Sequence, residues 1–175
     1  ISFISDRGGS ENLWVANNDG SNPKQLTKSN DGQFASPVFS NDGNYVYVSQ
    51  TSWPARTFEI WMYHIKGGSG IQITKAKASP TTPGNQWKNT LGPVISPDDK
   101  FLYYATKRGG FSYNMRFPAW QIERRDMITG KEDIITRAEG SGIRPIVSPD
   151  GNYIVYGTRY KTETGLRIKD LNKGT

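Results

Sequence analysis

One short spelling recurs along the chain: Ser40-Asn41-Asp42-Gly43, Ser96-Pro97-Asp98-Asp99 and Ser148-Pro149-Asp150-Gly151. Each copy follows an apolar pair, Val38-Phe39, Val94-Ile95 or Ile146-Val147, and each leads into an aromatic-rich stretch, Tyr45 to Gln50, Phe101 to Thr106 or Tyr153 to Thr158. The chemistry is that of a tight turn. Proline presets φ, aspartate bonds back to its own backbone, and glycine accepts positive φ. Asp99 stands where glycine is expected, and aspartate is among the few side chains that tolerate the left-handed region. A turn-and-strand unit repeated at this spacing restricts the chain to a modular architecture.

A second recurrence closes each unit. Lys24-Gln25-Leu26-Thr27, Gln72-Ile73-Thr74 and Ile134-Ile135-Thr136 end apolar strands in threonine. A further strand precedes each closing strand, at Asn12 to Asn17, Phe58 to Ile65 and Ala119 to Asp126, with an unclosed fourth at Gly165 to Leu171. Polar turns, Asn18-Asp19-Gly20-Ser21, Lys66-Gly67-Gly68-Ser69 and Thr129-Gly130-Lys131, enter the closing strand. The unit is therefore four strands, a to d. Four-stranded units repeating at roughly 40–55 residues read as β-propeller blades. The expected fold is all-β, a partial propeller of four-stranded antiparallel blades. One fragment spans residues 1–175, with a partial blade over 1–27, whole blades over 36–74 and 92–136, and a partial blade over 144–175. About three and a half blades do not close a ring of 4–8, so the expectation is an excerpt of a longer chain or an associating fragment with open strand edges.

The Ser-Pro-Asp-Gly spelling, with Ser5-Asp6-Arg7-Gly8-Gly9 and Asn12-Leu13-Trp14-Val15, resembles the WD-like repeats of TolB-type propellers. Residues 91–175, with the tail Gly165 to Leu171, are similar to propellers that precede a metal-dependent amidohydrolase domain in secreted bacterial proteins. The resemblance implies a non-catalytic scaffold or access-restricting domain of a larger secreted hydrolase, in the periplasm or outside the cell. The alternatives are an independent periplasmic TolB-like interaction module and, less well supported, a propeller lyase or glycosidase. Partners implied are the remainder of the parent polypeptide, another protein, or a second copy.

Composition agrees with many short strands. Apolar residues make up 34% and aromatics 12%, with 19 Gly and 10 Pro. No apolar run approaches the roughly 18 residues of a membrane span. The absence of cysteine excludes disulfides and thiolate metal sites. The net charge of +6 is spread without a dense basic run, so nucleic-acid binding is not expected. The chain opens at Ile1, inside the apolar run Ile1 to Ile4, and shows no signal peptide within it; it reads as an excerpt of a longer protein.

Length differences between connections point to one working face. The a–b and c–d turns are short. The b–c and d–a segments are read as long: Thr51 to Thr57, Lys107 to Pro118, Arg159 to Thr164, Lys75 to Leu91, and Arg137 to Ile143. Binding residues concentrate on loops held by a rigid scaffold. The candidate partner-binding residues are Trp53, Arg56, Trp87, Arg108, Phe111, Tyr113, Arg116, Phe117, Arg159 and Tyr160, with Lys88 and Lys107 on the same segments. Arginine and aromatics suit a protein interface or a contact with another domain, which is the favoured reading; the alternatives are loops that bury their own aromatics and a small-ligand site. No catalytic, cofactor or metal residues are expected. His64 is the only histidine and reads as a surface or packing residue. Asp42, Asp98 and Asp150 read as turn formers, and Glu132-Asp133 as solvated.

Overall fold

The computed structural model describes residues 1–52, 57–77, 79–109, 120–136, 140–160 and 162–173. Among the described residues, fourteen strands form four antiparallel sheets. Blade 1 is β1 (Ser2–Ser5), β2 (Asn12–Val15) and β3 (Lys24–Gln25). Blade 2 is β4 (Phe34–Phe39), β5 (Tyr45–Ser52), β6 (Thr57–His64) and β7 (Ile71–Gln72). Blade 3 is β8 (Lys88–Ile95), β9 (Phe101–Arg108), β10 (Gln121–Asp126) and β11 (Glu132–Ile134). Blade 4 is β12 (Ile143–Val147), β13 (Tyr153–Tyr160) and β14 (Glu163–Asp170). Within every sheet the strands follow chain order. The only helical turn among the described residues is a 3-10 turn at Gly84–Gln86.

The recurring turn builds the same structure three times. The serine hydroxyl donates to the aspartate Oδ1, at 2.5 Å for Ser40 and Asp42, 2.7 Å for Ser96 and Asp98, and 2.5 Å for Ser148 and Asp150. The same hydroxyl accepts the N–H that opens the next strand, from Tyr45, Phe101 and Tyr153. Gly43, Asp99 and Gly151 occupy φ of 71°, 58° and 73°, so Asp99 takes the conformation its place in the repeat demands. These exposed carboxyls are held below the ordinary aspartate range, Asp42 and Asp98 down to about 2. The serine hydroxyl is the largest cause and the backbone N–H two residues on is the next.

The closing threonines also repeat. Thr27, Thr74 and Thr136 accept through Oγ1 from the N–H of Leu13, Ile60 and Ile122, at 2.9, 2.8 and 2.7 Å. Strand d thus ends by offering a hydroxyl where a further ladder carbonyl would stand. All three threonines are buried, so each hydroxyl satisfies a strand c donor that water does not reach.

Blades pack face to face through alternating residues of strand b. Val46 and Val48 meet Leu13, Leu26 and Tyr63 between blades 1 and 2. Tyr47 points the other way, toward Ile60, Leu102 and Tyr104 between blades 2 and 3. Tyr103 and Ala105 meet Ile122, Ile154 and Tyr156 between blades 3 and 4. Period-2 alternation normally leaves one face of a strand polar. Here both faces of blades 2 and 3 are apolar, because each of these sheets lies between two others.

Several strand ends differ from the sequence expectation. Strand covers both ends of the segment 51–57, where β5 runs to Ser52 and β6 begins at Thr57, while residues 53–56 lie outside the described residues. At the ends of the segment 159–164, Arg159 pairs with Thr164 and Tyr160 with Glu163, so β13 and β14 reach into it. Lys88 and Lys107 belong to β8 and β9, not to loops, and Lys107 is buried. In each case cross-strand hydrogen bonding carried the ladder past the residues that a composition-based boundary marks as loop.

Candidate functional site

Strand order puts the a–b and c–d turns at one end of each blade and the b–c and d–a connections at the other. Among the described residues of that second end, the candidates Trp87 and Arg108 come together on blade 3. The Trp87 carbonyl accepts from Gly109 N at 2.8 Å, and Asn89 Nδ2 donates to the Gly109 carbonyl at 2.8 Å. Trp87 is half-buried. Its Nε1 donates to the Thr82 carbonyl at 2.8 Å, and the Lys77 ammonium lies 4.5 Å from its ring centroid. The indole therefore holds the 79–86 loop against the blade. Arg108 is exposed at the end of β9. Arg159 is exposed on β13, where its carbonyl accepts from Ser141 N. Trp53, Arg56, Phe111, Tyr113, Arg116 and Phe117 lie outside the described residues, as does the side chain of Tyr160.

A cleft of about 230 Å³ opens beside the inner strands of blades 2, 3 and 4. Three bulges shape it, and sequence reasoning did not identify them. The pairing slips by one residue between Ala35 and Val38, between Leu91 and Val94, and between Ile143 and Ile146. The residue inside each bulge takes positive φ: Ser36 at 54°, Gly92 at 65° and Arg144 at 50°. Each precedes a proline, Pro37, Pro93 or Pro145. Proline has no N–H to donate, so at this place the ladder loses a bond and the strand bends. The triplet of residue-proline pairs, four residues ahead of each recurring serine, was the available signal. Leu91, Ile143 and the buried Trp120 form the apolar wall, with the Lys107 ammonium 6.0 Å from the Trp120 centroid.

A third feature is an ion cluster on the face of blade 3 that meets blade 2. Lys88 Nζ lies 3.0 Å from Glu123 and 2.6 Å from Glu132. Arg125 pairs with Glu132 at 2.9 Å, and the Tyr104 hydroxyl donates to the same carboxylate at 3.0 Å. Glu132, expected to be solvated, is a shared acceptor in this cluster, because its register opposite Arg125 turns it inward. Burial pushes the Glu123 carboxyl above its ordinary range despite the charge of Lys88. Burial acts the same way on Glu132, but hydrogen bonds and charge from Lys88, with those of Tyr104 and Arg125, outweigh it and hold the group low. Burial also raises the Tyr104 hydroxyl strongly, with the two carboxylates adding to the effect. Every charge in the cluster is internally paired, which suits a scaffold joining strands better than a reacting centre. His64, on the surface, makes an edge contact with Tyr45 at 5.0 Å and accepts from Lys66 N through Nδ1.

Among solved structures, the chain superposes on one assigned as TolB from Agrobacterium tumefaciens with a TM-score of 0.75 and 18% identity, covering 99% of this chain and 58% of that one. The fold is that of a TolB-like β-propeller. The TolB-like blades also match an oligogalacturonate lyase solved with manganese (TM-score 0.67, 14% identity, 94% of this chain and 40% of that one). A puromycin-hydrolyzing peptidase of Mycobacterium tuberculosis matches at TM-score 0.67 and 12% identity, over 94% of this chain and 24% of that one. The TolB-like propeller described here thus spans less than two thirds of each of these chains. No family model and no curated protein sequence matches it.

Proposed function

We propose that this chain is a non-catalytic propeller segment of a larger secreted or periplasmic hydrolase, amidohydrolase-like in the resemblance of residues 91–175. It scaffolds a catalytic domain and limits access to it through the b–c and d–a end of the blades. The observation that carries this reading is the uncovered face of blade 4. Ile146, Leu166 and Ile168 are 66%, 78% and 70% exposed, and Tyr153 lies on the same face at 43%. Ile154 and Tyr156, on the opposite face of the same sheet, are buried against blade 3. An apolar sheet face of this kind calls for further polypeptide over it. Solved peptidases into which these blades fit as a quarter of the chain support a hydrolase as the source.

The test is amide hydrolysis by the intact protein on a short and a bulky chromogenic substrate. The expected result is turnover of both, with the ratio shifting toward the bulky substrate when residues 79–86 are shortened. Absence of hydrolysis across amides and esters would overturn the hydrolase reading. The higher structural agreement with the TolB fold supports a second reading, a protein-interaction module. In that case the intact protein lacks turnover, and photo-crosslinkers placed beside Arg108 capture one defined partner.

A further inference from the structure

The bulge cleft carries a feature that an accessory scaffold does not require. The three bulges need a residue at positive φ, and glycine is the side chain that meets this without strain. Blade 3 uses Gly92, and a Cβ there would come within 3.8 Å of Arg144 Cα and 3.9 Å of Pro145 Cδ, so the bulges of blades 3 and 4 nearly touch. Blade 4 nevertheless keeps an arginine at φ 50°, followed by a proline that further restricts it. Strain of this sort persists where the surrounding structure imposes it, and it gathers at ligand sites.

The surroundings of Arg144 specify the ligand chemistry. Arg144 is exposed at the lip of the cleft, and no carboxylate lines it among the described residues. Among the described residues its guanidinium has no ion-pair or hydrogen-bond partner. Leu91, Ile143 and Trp120 supply an apolar floor, and Ser36 of the blade 2 bulge also lines the cleft. The volume of about 230 Å³ is below that of sites for drug-sized ligands. An apolar slot with a cation at its edge complements a short apolar group ending in a negative charge, and guanidinium matches the two oxygens of a carboxylate.

We propose that the cleft binds a small monocarboxylate with a branched aliphatic or aromatic tail. The tail lies against Leu91, Ile143 and Trp120, and the carboxylate is held by Arg144 with the Ser36 hydroxyl as a second donor. The residues named all belong to this chain, and the test reads ligand binding rather than hydrolysis, so its failure is distinguishable from failure of the accessory reading.

The test titrates the intact protein with 4-methylpentanoate and, separately, with the isosteric neutral 4-methylpentanamide, by calorimetry and ligand-observed NMR. The acid is expected to bind at least tenfold more tightly than the amide. In Arg144→Gly, which suits the positive φ, the preference disappears while the cooperative melting transition is retained. Arg144→Lys keeps the charge without the two-pronged geometry and gives an intermediate preference. Equal binding of acid and amide, binding of neither, or a preference that survives in Arg144→Gly would each overturn the proposal.

Discussion

The Lys88 ammonium lies 3.0 Å from the Glu123 carboxylate, and both side chains are largely withdrawn from solvent, at 13% and 9% exposure. The pair spans the sheet from β8 to β10, crossing over the ring of Tyr104, whose centroid is 5.9 Å from the Lys88 nitrogen. Breaking a buried pair from one side leaves an uncompensated charge, which costs more than the pair contributes as a unit. Lys88→Met is therefore expected to destabilise the protein by about 3 kcal/mol at pH 7. Adding Glu123→Gln to Lys88→Met is expected to recover part of that loss. Burial already raises the Glu123 carboxyl, and loss of Lys88 removes the main opposing charge, so the pKa rises further. A folded-state carboxyl pKa above the unfolded one means that stability falls as pH rises. The deficit of Lys88→Met should shrink as pH is lowered from 7 toward 5. Denaturant melts of both variants across that range provide the check, and a deficit independent of pH would contradict the argument.

The three turn aspartates set an acid limit. Their folded-state pKa values lie below the ordinary one, at about 2 for Asp42 and Asp98. A depressed carboxyl contributes stability that is fully present above the unfolded value of about 3.9 and is lost as pH falls through the folded one. The melting temperature should therefore drop between about pH 4 and pH 2. A variant carrying Asp42→Asn, Asp98→Asn and Asp150→Asn should begin lower and show a flatter profile over the same window. Thermal scans by circular dichroism from pH 5 to pH 2 measure both.

Thr74 tests the closing device of the blades. Thr74→Val keeps the shape of the side chain but removes the acceptor for Ile60 N and the partner of Thr90 Oγ1. A buried donor left unpaired costs about 1–3 kcal/mol. Chemical denaturation should register a loss of that size. Amide hydrogen exchange at Ile60 should accelerate beyond what the global loss explains.

Much of the fold was legible because its signals are local. The Ser-x-Asp turn, the left-handed place of Asp99 and the closing threonines each depend on residues within a few positions, and the structure places each as the repeat implied. The candidate site was less legible. Trp87 carries the side-chain type of an interface residue, yet its indole bonds to Thr82 and holds its own loop. Glu132 carries the signature of a solvated acid, yet lies among Lys88, Arg125 and Tyr104. Residue type does not encode which neighbour lies opposite across a ladder, and a one-residue change of register turns a side chain to the other face.

The bulges show where local information ends. The residue-proline pairs at 36–37, 92–93 and 144–145 are visible in the chain, and proline alone disfavours regular ladder bonding there. That the three bulges converge on one cleft, with Arg144 at its lip and Trp120 in its wall, depends on how blades stack, and side chains up to 109 positions apart meet only then. The amino-acid sequence by itself determined the blade, its turns and its two apolar faces, because those follow from period-2 alternation and turn chemistry. The tertiary structure decided which charges are buried and where a cleft opens, because burial and proximity belong to the packed sheets.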